Sequence, residues 1–289
     1  MSWIQLELST QPEQVDALED LLLGHGAVAI TLLSDSEERV LEPRPGETPL
    51  WQHIRLHALF DVSHDFKPLR ESLAEAGTGW DVQFIGEENW LAKARAFAVD
   101  EIFGERLRLC PPGTQTDPEL ATLLLEPGMA FGSGSHPTTK LCLQWLAQHV
   151  RPGMQVLDFG CGSGVLAIAA SLLGARSVAV DHDPQALVAT ASNGELNHIN
   201  SDSLTCLDLP AWQAFRKDHH FDVVVANILA QPLKSLAGEF QSVTQQGASI
   251  VLSGILVEQV DEVMLAYPEV RFEPASVLEG WACLYGVRS

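Results

Sequence analysis

The sequence contains no uninterrupted apolar stretch of about 18 residues, the length a membrane-spanning helix requires, so no membrane role is expected. Its opening, MSWIQLELS, lacks both a basic start and a long apolar core, and reads as a strand instead of a secretory signal. Cysteine is sparse. Cys110, Cys142, Cys161, Cys206 and Cys283 are odd in number, scattered, and form no C-x-x-C pair. That pattern argues against a disulfide framework or a zinc site and fits a reduced, cytoplasmic setting. His219 and His220 are adjacent, but no metal-ligand spacing accompanies them, so no metal is expected. Positive charge is scarce too: 17 Lys and Arg stand against 38 Asp and Glu, a formal net charge of −21. Such a surface repels phosphate backbones, which argues against direct nucleic-acid binding, and it favours encounter with a basic partner. The same charge also serves solubility, so it does not by itself identify the partner. Internal repeats and low-complexity tracts are absent.

What is present suits two domains: 289 residues, 46% of them hydrophobic and 19% charged. Residues 3–8 alternate as a strand, and residues 11–24 carry Val15, Leu18, Leu21 and Leu22 at helical spacing. Strands are expected over residues 27–33, 53–60 and 80–85, and a second helix over residues 66–76. The polar stretch from Ser34 to Pro49, with three prolines and one glycine, reads as loop. The order β-α-β-β-α-β matches a ferredoxin-like α+β domain, assigned to residues 1–88 and suited to an appended recognition module. Residues 89–127 read as a linker. Its alanine-rich start favours a helix over residues 89–102, Arg106–Cys110 suits a short strand, and prolines and glycines then mark an irregular connector. From residue 128 the pattern becomes strand-helix alternation with near-continuous apolar strands, the mark of a parallel α/β sheet.

The chemistry concentrates at three strand ends. In VLDFGCGSGV, an apolar strand runs into Gly160-Cys-Gly162-Ser-Gly164 and opens a helix. The glycines permit a tight turn and close approach of a ligand to the backbone. Asp181 closes the next strand, where a carboxylate can accept ribose hydroxyls. A nicotinamide dinucleotide fits poorly. The spacing is G-x-G-x-G, and Asp158, at the end of the first strand, would lie beside a pyrophosphate. Asp158 suits a ligand with a cationic amino-acid end and no phosphate, although it could simply cap the turn. The second feature is the loop from Met129 to Thr139, and the third is Asn227 at the end of VVVAN. Taken singly, Thr138, Thr139 and Asn227 could each be a helix cap.

The segments GMAFGSGSHPTT, VLDFGCGSGVLAIAA, VAVDHDPQAL, VVANILAQPL and LSGIL, in this order, closely resemble the PrmA family. Its members methylate large-subunit ribosomal protein eleven on lysine and N-terminal amino groups. The likeness covers nearly the whole chain, including WIQLEL and the PGET of Pro45–Thr48, and NILA stands where methyltransferases of DNA or glutamine amino groups carry N-P-P-Y. The resemblance implies a seven-stranded Rossmann-like S-adenosylmethionine methyltransferase domain over residues 128–289. It implies that Thr139, Gly160, Asp181 and Asn227 contact S-adenosylmethionine, with Phe131 and Gly132 lining the same pocket. Asp158 and Gly162, from the turn itself, complete the expected cofactor site. Asn227 is also the residue expected to orient the acceptor amine, without a dedicated base, and the small domain is expected to recognise the ribosomal protein. The chain departs from the family at Ala94 and Ala98, where aromatics usually follow a tryptophan such as Trp90, and at Pro112-Gly113, where a tryptophan is usual. Ser133 and Ser135 replace threonines. These departures leave two alternatives: a methyltransferase of another protein or small molecule, or a non-catalytic cofactor-binding interaction protein.

Overall fold

The computed structural model describes residues 3–34, 51–75, 79–85, 99–125 and 134–289. The chain divides into two compact units, Met1–Lys93 and Ala94–Ser289. Among the described residues no helix is long and apolar enough to cross a membrane.

The first unit runs β1 (Trp3–Thr10), α1 (Val15–Gly24), β2 (Ala29–Ser34), β3 (Ile54–Asp61), α2 (Lys67–Glu75) and β4 (Trp80–Ile85). This is the order the alternation pattern predicts. The strands form one antiparallel sheet in the order β2-β3-β1-β4. Period-two alternation puts Leu6, Leu8, Leu56, Ala58 and Phe60 on one face, where they pack against Leu18 and Leu22 of α1 and Leu69 and Leu73 of α2. The helix expected from residue 11 begins as a 3-10 turn at Pro12–Gln14, with proline in its first turn, and becomes α-helical at Val15. Of the expected loop, Ser34 instead closes β2, and residues 35–50 lie outside the described residues.

The second unit corrects the reading of the linker. Residues 86–98 lie outside the described residues, but Glu101 and Ile102, expected at the end of a helix, belong to β5 (Glu101–Phe103). Gly104 and Glu105 both have positive φ, and the turn they make folds β5 back on β6 (Leu107–Cys110). Strand β6 then pairs in parallel with β7 (Ala121–Leu124). The short strand expected over Arg106–Cys110 is present as β6, the expected helix end and irregular connector contribute β5 and β7 beside it, and Phe103, Leu107, Leu109 and Leu123 of this three-stranded sheet join the core of the larger domain. Burial of these apolar anchors outweighs the local turn signals, and Pro111, Pro112 and Pro118 are confined to the β6–β7 loop.

The large sheet follows the path β10-β9-β8-β11-β12-β15-β13, with β14 paired to β15 off that path. Its strands are β8 (Gln155–Phe159), β9 (Arg176–Val180), β10 (Leu204–Leu207), β11 (Phe221–Asn227), β12 (Thr244–Leu256), β13 (Val270–Phe272), β14 (Ser276–Leu278) and β15 (Trp281–Arg288). Strands β8 to β12 pair in parallel, and β15 is antiparallel to its neighbours. The intervening helices are α3 (Pro137–His149), α4 (Val165–Leu172), α5 (Pro184–Leu196), α6 (Leu209–Phe215), α7 (Ala230–Ser242) and α8 (Val260–Leu265). Both faces of the sheet are covered. Val156, Val223 and Val225 face one core with Leu143, Leu146 and Ile168, while Leu157, Val224 and Ala226 face the other with Leu233, Phe240 and Val263. Double burial explains why these strands read as unbroken apolar runs. Strand β8 has β9 on one side and β11 on the other, so consecutive crossovers diverge there and open a crevice at the carboxyl ends.

Candidate active site

Gly160, Gly162 and Gly164 take φ of +78°, +53° and +78°, values that side chains with a Cβ resist. Space is short as well: a Cβ on Gly160 would sit 2.3 Å from Ile228 Cγ2. The N–H groups of Gly160 and Cys161 donate to the Val180 carbonyl at 2.8 and 3.1 Å, tying the turn to the end of β9. From α5, Thr190 Oγ1 donates to the Gly162 carbonyl at 3.1 Å and Asn193 Nδ2 to that of Ser163 at 2.8 Å. Sequence reading missed this brace, because Thr190 and Asn193 sit mid-helix with no motif around them.

Asp181 follows β9 and is almost wholly buried. Its Oδ2 accepts the Gly162 N–H at 2.9 Å and its Oδ1 the Asp183 N–H at 3.0 Å, so the carboxylate is clamped against the glycine turn. Asp158 is 1% exposed. Its Oδ2 accepts the Ala167 N–H in the first turn of α4 at 2.9 Å, so its structural bond reaches past the glycine turn, which it is expected to cap, into the following helix. Its Oδ1 is buried and has no hydrogen-bond partner among the described residues. Burial pushes the Asp158 carboxyl up to about 7, the Ala167 N–H opposes this, and the Asp181 charge adds to it.

Across the crevice, Thr139 is fully buried in the first turn of α3, and its Oγ1 accepts from Asn227 Nδ2 at 3.2 Å. Neither residue is a helix cap. The N-cap of α3 is His136, and that of α7 is Leu229, with no side-chain bond. Asn227 Oδ1, like Asp158 Oδ1, is buried without a partner among the described residues. The two residues end adjacent strands, since Asp158 pairs with Val225, two residues before Asn227. Ile228, next in the chain, meets Gly160 on one side and presses its carbonyl on Gly254 on the other, where a Cβ would lie 2.4 Å away. The structure thus brings Thr139, Asp158, Gly160, Gly162, Asp181 and Asn227 to one rim, while Phe131 and Gly132 lie outside the described residues. A cleft of ≈ 390 Å³ lined by Trp145, His149, Gln155, Asp222 and Gln245 lies at the amino ends of the same strands, away from this chemistry.

Two buried acceptor oxygens without partners among the described residues suit a ligand that brings N–H donors and no phosphate. An amino-acid ammonium and a reacting amine satisfy that demand. The family described as ribosomal protein L11 methyltransferase (PrmA) matches residues 2–289. The chain belongs to this family. It is 41% identical over 298 residues to the ribosomal protein L11 methyltransferase of Ectopseudomonas mendocina, covering all of both chains. It is 43% identical over 299 residues to that of Pseudomonas aeruginosa, covering 100% of this chain and 99% of the relative. A crystal structure of ribosomal protein L11 methylase from Lactobacillus delbrueckii subsp. bulgaricus superposes with TM-score 0.57 at 28% identity, over 64% of this chain and 95% of that one. Membership in PrmA makes the protein an S-adenosylmethionine-dependent protein methyltransferase.

Proposed function

We propose that this PrmA protein methylates lysine and N-terminal amino groups of ribosomal protein L11, with Asn227 orienting the acceptor amine. The observation that carries the reading is the pair of partnerless buried oxygens, Asp158 Oδ1 and Asn227 Oδ1, at adjacent strand ends. When bound, S-adenosylmethionine supplies a methyl group on a sulfonium. Asp158 would accept the ammonium of its amino-acid end, Asp181 its ribose hydroxyls, and Thr139, Gly160, Gly162, Phe131, Gly132 and Asn227 would complete the cofactor contacts. An acceptor amine that has lost its proton donates an N–H to Asn227 Oδ1, which turns the nitrogen lone pair towards the methyl. Transfer would form the N–C bond as the C–S bond of the bound sulfonium breaks, with the surplus proton passing to water. Catalysis is then chiefly alignment, with no dedicated base. An apolar surround beside a positive sulfonium favours the neutral amine over its ordinary state, whose pKa is about 10.4.

The finer architecture fits this assignment. The sheet order of the first unit is that of a ferredoxin-like domain, and residues 1–88 serve as the recognition domain for the ribosomal protein. The seven-strand path of the large sheet carries the methyltransferase chemistry over residues 128–289. A ribosomal substrate fits a cytoplasmic enzyme, and a net charge of −21 suits a basic protein partner without direct nucleic-acid contact.

The test is transfer of labelled methyl to purified ribosomal protein L11, read by mass spectrometry. Multiple methyl groups on amino nitrogens are expected, and no transfer by a protein that still binds the cofactor would overturn the acceptor. Asn227→Ala should cut kcat by about 100-fold, the scale of losing one oriented hydrogen-bonding group. Its cofactor Kd should weaken far less than kcat falls, and equal losses in both would contradict the role given to Asn227.

A further inference from the structure

Strands β14 and β15 are joined by a hairpin loop of two residues, Glu279 and Gly280, since Leu278 pairs with Trp281. Both take positive φ, +52° and +79°. Asparagine or aspartate followed by glycine fits such a loop best, and glutamate at its first position is strained. Glu105 takes a similar φ, so the conformation alone marks nothing. The place of the loop does. Strand β12 pairs with Asn227 at Ser253 and runs on to Leu256, where it pairs with Trp281. The hairpin tip therefore stands three residues, roughly 10 Å, beyond Asn227 on the carboxyl rim. The Gly280 carbonyl accepts the Val257 N–H at 3.2 Å, which fixes the tip to the end of β12. From the other side, the Trp281 ring meets the His136 ring with centroids 4.7 Å apart, and His136 caps the helix whose Thr139 holds the Asn227 amide. Glu279 is exposed, and among the described residues no lysine or arginine pairs with it. Leu229, two residues past Asn227, and Val257 are exposed apolar side chains on the same rim, and Glu258 is a second exposed carboxylate there.

We propose that Glu279 is a specificity-determining residue: its carboxylate takes a second cation of the acceptor protein, a lysine or arginine flanking the amine that is methylated. The inference rests on the reading of Asn227 as the residue that orients that amine in a basic ribosomal protein. The four-carbon stem of a lysine is shorter than the step from Asn227 to the tip. A lysine whose nitrogen reaches Asn227 thus leaves the neighbouring residues of its chain at the height of Glu279. Leu229 and Val257 offer apolar surface to the stem of such a neighbour, while its charged head stays in water. Asparagine at position 279 would relieve the strain but remove the charge, so the loop favours the acceptor over the turn.

The experiment is steady-state methylation of ribosomal protein L11 at saturating S-adenosylmethionine by wild type, Glu279→Gln, Glu279→Asn and Asp202→Asn, with a melting curve for each. Glu279→Gln removes the charge and keeps the strained side chain, whereas Glu279→Asn removes both. Each should raise KM for the protein about threefold, the scale of one lost exposed ion pair, while kcat at saturation holds. Glu279→Asn alone should also melt higher, by about 2–4 °C. Asp202 is exposed ahead of β10, at the amino ends of the strands, and Asp202→Asn makes the same change in net charge. Its KM should stay near the wild-type value. An unchanged KM in Glu279→Gln overturns the proposal, and so does an equal rise in Asp202→Asn, which would assign the effect to the overall field. A Glu279→Asn that melts lower than wild type also overturns it, because the glutamate would then serve the turn. No transfer by the wild type sinks the acceptor reading and this inference with it, whereas wild-type transfer with KM indifferent to Glu279 sinks this inference alone. Failure of the Asn227 reading shows elsewhere, as a wild-type kcat in Asn227→Ala.

Discussion

At the scale of single residues, Asp158 sets stability against function. Burial raises its carboxyl to about 7 from an ordinary value of 3.8. Between these two values the unfolded chain has given up the proton while the folded protein keeps it. The contribution to stability is therefore full at low pH and is lost as pH rises through about 7. Asp158→Asn removes the titration. The ligand-free variant should melt higher than wild type near pH 8, and the gap should shrink towards pH 5 in thermal scans. The same variant should bind S-adenosylmethionine at least about tenfold more weakly at pH 8, roughly 1.4 kcal/mol. Wild-type affinity should climb as pH passes through about 7 and then level off. Unchanged affinity in Asp158→Asn would remove Asp158 from the cofactor site. The position of Asp158 was legible in the sequence, but its divided role was not. One oxygen bonds α4 and the other is left for a ligand, and that division depends on the neighbouring strand.

At the scale of elements, the close approach of Ile228 to two glycine turns explains why the strand ends stay in place. Gly254 has φ +87° and faces the Ile228 backbone carbonyl at 2.4 Å, whereas Gly160 has φ +78° and faces a methyl group that can rotate away. Gly247 has φ +87° with nothing within 4 Å. Alanine at each position should therefore destabilise in the order Gly254, Gly160, Gly247. The last should cost about 1–2 kcal/mol for backbone strain alone, and the first clearly more. Urea unfolding of the three variants checks the order, and a Gly254→Ala no worse than Gly247→Ala would mean that the β11–β12 crossover is not tightly packed. The same long-range packing marks the limit of what sequence pattern reveals. Strands β8, β9 and β11 announce themselves, because burial on both faces demands continuous apolar runs. Strand β5 does not: three residues give no period, and it is defined by its pairing with β6 and by Phe103 in a distant core. Helix α6 gives no clear period for a related reason: it has only seven residues, and it is set by the Asp208 cap on the Ala211 N–H and by the full burial of Trp212. The cap of α3 is of the same kind, since it is His136 and neither of the threonines that follow. Its ring packs on Trp281, 145 positions further along, a contact that no local pattern announces.

At the scale of the whole molecule, charge should govern the encounter with the substrate more than the chemistry that follows. A net charge of −21 creates a long-range field that draws in a basic protein and repels the RNA that surrounds the same protein in an assembled ribosome. The range of that field shrinks from roughly 30 Å at 0.01 M salt to about 8 Å at 0.15 M. Raising salt should therefore lower kcat/KM for free ribosomal protein L11, chiefly through KM, while kcat at saturation holds, because alignment at Asn227 occurs inside the site and is little screened. For whole ribosomes the attraction of the protein and the repulsion of the RNA oppose each other, so methylation should be slower at low salt and should gain relative to the free protein as salt screens the repulsion. Parallel assays on the two substrates across a salt series decide the matter. If ribosomes are methylated as fast as the free protein at low salt, or if salt leaves kcat/KM for the free protein unchanged, the acidic surface serves solubility and recognition rests on short-range contacts instead.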